Sequence, residues 1–268
     1  MNMIKKILND NHALKLNLIG LYTIVRREIT RFLRIWTQTL LPSMVSMTLY
    51  YIIFGNLIGR RIGQMSGVDY IDYIVPGLIM MAIITNAYGN VVGSFFTSKF
   101  QRNIEEMLVS PLSNTTILWG YLLGGVARGI TVGVLVTLLS LLFARLPVQN
   151  LVLTLSIGLL TALLFSLAGF INAIFAKKFD DINIVPTFIL TPLTYLGGVF
   201  YSIELLPSFW KGVSFANPIF YMINAFRYGM LGYSDINVGT AIIVILAFTV
   251  ILYFIALHLL KKGVGIKS

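Results

Sequence analysis

No cysteine occurs in the 268 residues. Disulfides, thiolate zinc sites, iron–sulfur clusters and a cysteine nucleophile are therefore excluded. Histidine is nearly absent too: His12 and His258 stand far apart. Charge is scarce. Asp, Glu, Lys and Arg make up 11% of the chain, where a soluble globular domain carries about 25%. Acids are the scarcer sign, with 10 against 20 Lys and Arg, leaving a net charge of +10. The motifs G-x-x-x-x-G-K-[ST], H-E-x-x-H and G-x-S-x-G are all missing. The chain thus has no phosphate-binding loop for ATP hydrolysis and no catalytic constellation.

What fills the sequence is apolar: 57% hydrophobic residues and a mean hydropathy of +0.86. That composition points to an integral membrane protein. The basic excess would suggest nucleic acid in a soluble protein, but here it clusters at the edges of apolar runs, where topology explains it. The first 30 residues do not read as a cleavable signal peptide, because Lys5, Lys6, Asp10, Lys15 and Arg26 interrupt them.

Five stretches are free of Asp, Glu, Lys and Arg: 35–59, 73–98, 146–176, 182–203 and 236–260, with 25, 26, 31, 22 and 25 residues. Each meets the roughly 20 residues needed to cross a hydrocarbon core. A sixth, about 116–143, is apolar but contains Arg128. The runs are long and do not alternate, so helices rather than a β-barrel are expected. The expected fold is an all-α membrane protein with six spans, near 37–58, 74–97, 116–143, 151–176, 183–201 and 237–260. With the N-terminus inside, inner segments hold 14 Lys and Arg and outer segments 5, which predicts both termini in the cytoplasm. Arg60 and Arg61 dissent, beside Asp69 and Asp72.

Three segments do not read as spans. Residues 18–36 form an amphipathic helix: Tyr22, Val25, Ile29, Phe32, Leu33 and Trp36 fall within about 60° of Leu18 at 100° per residue. Arg27, Arg31 and Arg34 fall opposite, as in a helix lying in the headgroup plane. Residues 98–110 form a short helix with Phe100, Ile104, Met107 and Leu108 on one face, ended by Ser110-Pro111. It is either a connector or a helix that docks on a soluble partner. Residues 202–235 are rich in aromatics and broken by Pro207 and Pro218. They suit re-entrant or interfacial helices over 203–232, or a belt that only anchors.

Inside the third span, Gly120, Gly124, Gly125, Gly129 and Gly133 allow close helix packing, within the chain or across a dimer seam. Arg128 needs a partner at that depth. Glu105, Glu106, Asp180, Asp181, a helix C-terminus, a lipid phosphate and an anionic substrate all qualify. Ion-coupled secondary transport is the competing function, but it calls for ionisable groups at membrane depth, and few acids are evident there. Lys177-Lys178 before Phe179-Asp180-Asp181 is a topology signal that could also touch a cytoplasmic partner.

Two strings carry a resemblance. One is Arg102-Asn103-Ile104-Glu105-Glu106-Met107-Leu108-Val109-Ser110-Pro111-Leu112, continuing to Gly120, Gly124, Gly125 and Arg128. The other runs from Phe179-Asp180 through Pro192-Leu193, Gly197-Gly198-Val199-Phe200-Tyr201 and Leu206-Pro207 to Asn217-Pro218 and Arg227. Together they resemble the ABC-2 family of ATP-binding-cassette exporter permeases over most of the chain. The resemblance implies an exporter subunit in the bacterial inner membrane, working as a permease dimer with separate ATPase chains. It implies that ATP and Mg are bound by those partners and no cofactor by this chain. Phe100, Arg102, Ile104, Glu105, Glu106, Met107 and Leu108 would then seat in the ATPase. The cargo path or gate would include Arg128, Tyr201, Leu206, Pro207, Trp210, Asn217, Pro218, Phe220, Tyr221 and Arg227. Ile104 departs from the small residues many relatives place before the acidic position. Lipid-linked polysaccharide, a lipid or an amphipathic drug are the cargo classes this leaves.

Overall fold

A computed structural model describes residues 2–265, and their side chains from Ala13 onward except Asn56. The side chains of Lys5, Lys6, Asp10 and His12, and the tail with Lys267, lie outside the described residues. The chain opens with α1 (Asn2–Arg34) and, after a break at Ile35, continues as α2 (Trp36–Thr39) and α3 (Leu41–Tyr50). A π-helical stretch (Tyr51–Ile58) and α4 (Gly59–Ile62) complete that rod. A two-residue hairpin pairs β1 (Gln64–Met65) with β2 (Val68–Asp69). There follow α5 (Tyr70–Phe100), α6 (Asn103–Val109), α7 (Asn114–Ser140) and α8 (Leu151–Phe175). Next come α9 (Asp181–Val185), a second π stretch (Pro186–Leu190) and α10 (Thr191–Leu196). A 3-10 turn (Ile203–Leu205), α11 (Ser208–Phe215), α12 (Pro218–Leu231) and α13 (Val238–Lys262) finish the chain.

Five rods among the described residues are long and apolar enough to cross a bilayer: Trp36–Ile62, α5, α7, α8 and α13. The expected span 183–201 is helical over Asp181–Leu196 only, about 24 Å at 1.5 Å per residue. Pro186 and Pro192 remove backbone donors there, and the π stretch begins at the first of them.

The bundle is built around α5, which is buried along most of its length, whereas the first rod and α13 are mostly exposed. Glycines on α7 permit its close packing. A Cβ at Gly120 would come within 2.6 Å of Ile24, and one at Gly124 within 2.5 Å of Glu28. On another side of the helix, Gly129 and Gly133 would meet Ala87 and Ile83 of α5 at 2.9 and 2.7 Å. The glycine stripes thus serve packing within the chain.

The connections segregate to two ends. At one end, Phe100 meets Phe179 at 5.1 Å between ring centres, and Lys99 Nζ donates to the carbonyls of Ala173, Ile174 and Ala176, capping α8. At the other end, Asp72 Oδ1 accepts from Arg145 N, and Gln149 Nε2 donates to Leu231 O. Arg60 and Arg61 form no ion pair with Asp69 or Asp72; those two arginines stay exposed.

Candidate docking face and outer gate

The short helix α6 begins after Arg102, whose φ of 63° turns the chain sharply out of α5. Ile104 is fully buried, and Met107 and Leu108 pack half-buried against the core. The apolar face of α6 therefore belongs to the protein itself. What it offers outward is Arg102, Glu105, Glu106 and Val109, which is 88% exposed. Phe100 does not share the Ile104 face: it ends α5, exposed, in contact with Phe179. Phe179 also meets Phe96 at 5.0 Å. The loop 176–180 thus lies beside the end of α5 from which α6 departs, a neighbour that sequence spacing could not supply. Beside it Asp181 accepts from the amides of Lys177 and Lys178 at 2.8 and 3.0 Å, and these bonds hold its carboxyl below the usual range.

The helix expected at 18–36 is α1, and it has three faces rather than two. Leu18, Tyr22, Leu33 and Trp36 remain exposed and uncovered by protein. Arg26 and Arg34 form the polar face. The third face, with Gly20, Ile24, Glu28 and Phe32, runs alongside the first turns of α7, from Gly20 against Leu112 to Glu28 against Gly124. Glu28 is 1% exposed. Its carboxylate accepts from Ser94 Oγ (2.6 Å), Arg31 Nη2 (3.0 Å) and Arg27 Nη2 (3.3 Å). Arg31 also donates to Asn90 Oδ1 (2.9 Å), and Arg27 to Tyr121 OH (2.9 Å). The expectation of an interior nearly without acids is corrected here: a scan for uncharged runs overlooks a carboxylate flanked by its own arginines. It needs a second correction at Asp235.

Arg128 pairs with none of the acids considered for it. Its Nη2 donates to Thr39 O and to Asn86 Oδ1, both at 3.1 Å. Thr39 is the last residue of α2, so Arg128 caps a helix C-terminus at the break before α3. Asn86 Nδ2 in turn donates to Ser43 Oγ of α3. One side chain thereby ties α7, α5 and the start of the first rod.

At the opposite end α12 is wedged among α5, α8 and α13, with most of its residues buried. Asn217 caps it through Ile219 N and donates to Leu193 O at 2.6 Å. Pro218 follows at the first helical position, and Phe220 is buried. Arg227 is fully buried: Nη2 donates to Gly198 O (2.6 Å), the guanidinium lies 4.0 Å over Tyr73, and Nη1 stands 3.8 Å from Asp235 Oδ2. Asp235 Oδ1 accepts from Ser202 Oγ and Tyr233 OH. Gly198 holds φ at +79°, a turn that suits glycine. Tyr201, Leu206 and Tyr221 are half-buried, while Pro207 and Trp210 are exposed on the rim. The expected gate positions thus divide into a buried clasp and an open rim. A further aromatic group was not foreseen: Tyr50 and Phe54 of the first rod meet Phe200, and Tyr50 OH lies 3.1 Å from Tyr195 OH. It flanks both π stretches, a helix form that recurs at functional sites.

Comparison with known proteins agrees with this geometry. The family model for ABC-2 type transporters matches residues 20–231. The chain belongs to the ABC-2 type transporter family. Its matched region starts where α1 begins to pack on α7 and stops at the last residue of α12. The chain is 57% identical over 250 residues to "Inner membrane transport permease YadH" of Escherichia coli (strain K12), covering 93% of this chain and 98% of that one. It is 22% identical over 238 residues to "Nodulation protein J" of Rhizobium meliloti (strain 1021), covering 88% and 91%. The first relative is named as a transport permease. His258, the described histidine, is exposed on α13.

Proposed function

We propose that this chain is the membrane subunit of an ABC exporter. It moves a lipid-linked polysaccharide, a lipid or an amphipathic drug outward across the bacterial cytoplasmic membrane, using ATP and Mg bound by a separate ATPase. The observation that carries this reading is α6. Ile104 fixes the helix, so Arg102, Glu105, Glu106 and Val109 form a rigid outward surface, with Phe100 and Phe179 beside it. A protein surface of that kind suits a soluble partner rather than lipid.

The remaining parts follow in order. Both termini and α6 lie in the cytoplasm, supported by the 14-to-5 distribution of Lys and Arg. The segment 183–201 is the fifth of six crossings, its helix, which ends at Leu196, extended by the turn that follows. The uncovered stripe of α1 rests on lipid at headgroup level. α11 and α12 dip back into the outer leaflet as re-entrant gate helices. A second copy of the permease covers the exposed apolar face of the rod Trp36–Ile62 and of the segment 183–201, and the Tyr50–Tyr195–Phe200 group lines the cargo path between copies.

α5 links the two ends. It runs about 46 Å at 1.5 Å per residue, from the turn into α6 to Tyr73 beneath Arg227. ATP-driven approach of two ATPase subunits would move α6 and, through α5, bias the outer clasp between two states of similar energy. The test is purification of the permease with its ATPase, native and with Glu105→Lys and Glu106→Lys together. Reduced ATPase recovery at unchanged permease yield supports the reading. Transport by the permease in vesicles without any ATPase overturns it.

A further inference from the structure

A cavity of about 300 Å³ opens between α7 and α8 at the end of the bundle away from α6. Its floor is Ile79 and Ile83 of α5 with Phe226 and Met230 of α12. Two hydroxyls reach its wall, and both are already committed. Thr137 Oγ1 donates to Gly133 O and Thr154 Oγ1 to Asn150 O, each at 2.8 Å. Only acceptor lone pairs of these two hydroxyls remain in an otherwise apolar lining, a poor site for a buried water, which needs two to four polar partners. The mouth is flanked by Val134, Leu138, Leu151 and Leu155, each at least half exposed. These belong to two helices apolar and long enough to cross a bilayer, so the medium at the mouth is hydrocarbon. The cavity follows α8 from Leu151 to Leu159, about 12 Å at 1.5 Å per residue, which suits an extended chain more than a compact molecule.

We infer that this cavity binds one acyl chain of a membrane phospholipid, which enters between α7 and α8 and ends against Phe226 and Met230 of α12. The inference rests on the reading that these helices cross the membrane. Phe226 adjoins Arg227, so the bound chain supports the same helix whose guanidinium closes the outer clasp. Arg227 lies about 60–100° round the helix from Met230 and Phe226, so the lipid contact and the clasp act on neighbouring sides of α12. The site lies on the α7–α8 side of the bundle, apart from the Tyr50–Tyr195–Phe200 group at the first rod and α10.

Gly158 makes the idea testable. A Cβ there would meet Ile83, Phe226 and Ile130 at 3.7–3.8 Å, ordinary contact distances, so a small side chain fits without displacing its neighbours. The full chain is reconstituted in vesicles of phosphatidylethanolamine and phosphatidylglycerol doped with phosphatidylcholine bearing a diazirine near the end of one acyl chain. After illumination, labelled residues are mapped by mass spectrometry. Ile251 and Phe254 of α13, which are exposed, report ordinary lipid contact, and buried Ile84 reports background. Labelling of Phe226 and Met230 well above Ile84 is expected, with loss of that signal in Gly158→Leu and in Val134→Trp. The second variant changes an exposed mouth residue, so it tests the site even if the first fails to fold. Labelling of Phe226 and Met230 at the Ile84 level, or undiminished in a folded variant, overturns the inference. Absence of label from Ile251 and Phe254 would instead count against the transmembrane reading itself.

Discussion

Ser94 Oγ donates a 2.6 Å hydrogen bond to Glu28 Oε1, joining α1 to α5 through a carboxylate that is almost fully buried. Arg27 and Arg31 complete the arrangement from the same helix. The arginines are partly exposed, 42% and 32% at the side chain, so losing the carboxylate costs chiefly its hydrogen bonds and leaves Ser94 without its acceptor, about 1–3 kcal/mol. Glu28→Ala is expected to lower the thermal unfolding midpoint in detergent clearly, whereas Arg34→Ala on the exposed face leaves it unchanged. Equal midpoints for the two would show that the buried carboxylate contributes little.

Gly124 faces the stem of that carboxylate, and a Cβ would stand 2.5 Å from Glu28 Cβ. Overpacking of this kind costs about 1–3 kcal/mol. Gly124→Val is expected to separate α1 from α7 and to speed proteolysis within α1. Gly212→Ala, where nothing lies within 4 Å of the added carbon, is the control that should behave as native.

Arg128 and Thr39 lie 89 positions apart in sequence, yet the arginine caps the carbonyl. Arg128→Met keeps much of the volume and leaves the carbonyl and Asn86 Oδ1 without that donor. A buried polar group left unsatisfied costs about 1–3 kcal/mol. The expected signature is faster hydrogen exchange around Leu40–Met44 with little change in α13. Unchanged exchange there would show that the break before α3 does not depend on the arginine.

The Arg227–Asp235 clasp calls for a double-mutant cycle. Each single change, Arg227→Met or Asp235→Asn, is expected to destabilise more than half as much as both together, because the lone partner stays buried without compensation. Additive effects would show that the 3.8 Å separation carries no coupling.

On α6 the two faces make opposite predictions. Ile104→Ala removes a fully buried side chain and is expected to cost about 2–5 kcal/mol in stability. Glu105→Lys changes an exposed one, so it should leave the unfolding midpoint alone and reduce ATPase recovery. A Glu105→Lys protein that unfolds early while retaining full ATPase binding would reverse the assignment of faces.

The elements were legible because bilayer-spanning helices write their length and hydropathy directly into sequence. The short helix near 98–110 and its end at Ser110-Pro111 depend on local chemistry; so does the break of the segment 183–201 at Pro186 and Pro192, which its uncharged length hid. The direction of each face depended on more. The apolar stripe of α1 points away from the protein, because glycines on α7 admit the Glu28 face instead. The apolar face of α6 turns inward and leaves its charges exposed. A residue's own spacing defines a face, but the neighbour that covers it comes from elsewhere in the chain.

Composition alone therefore determined that this is a helical membrane protein without a nucleotide motif, since absent residues cannot be supplied by folding. Tertiary structure alone decided that Arg128 caps Thr39, that Glu28 is buried among arginines and that Arg227 closes over Tyr73. Arg128 and Thr39 stand 89 positions apart and Arg227 lies over Tyr73 from the far part of the chain, while Glu28 meets arginines of its own helix but is enclosed by Ser94, 66 positions on. Burial, which only packing creates, is what turns each from a surface charge into a structural bond.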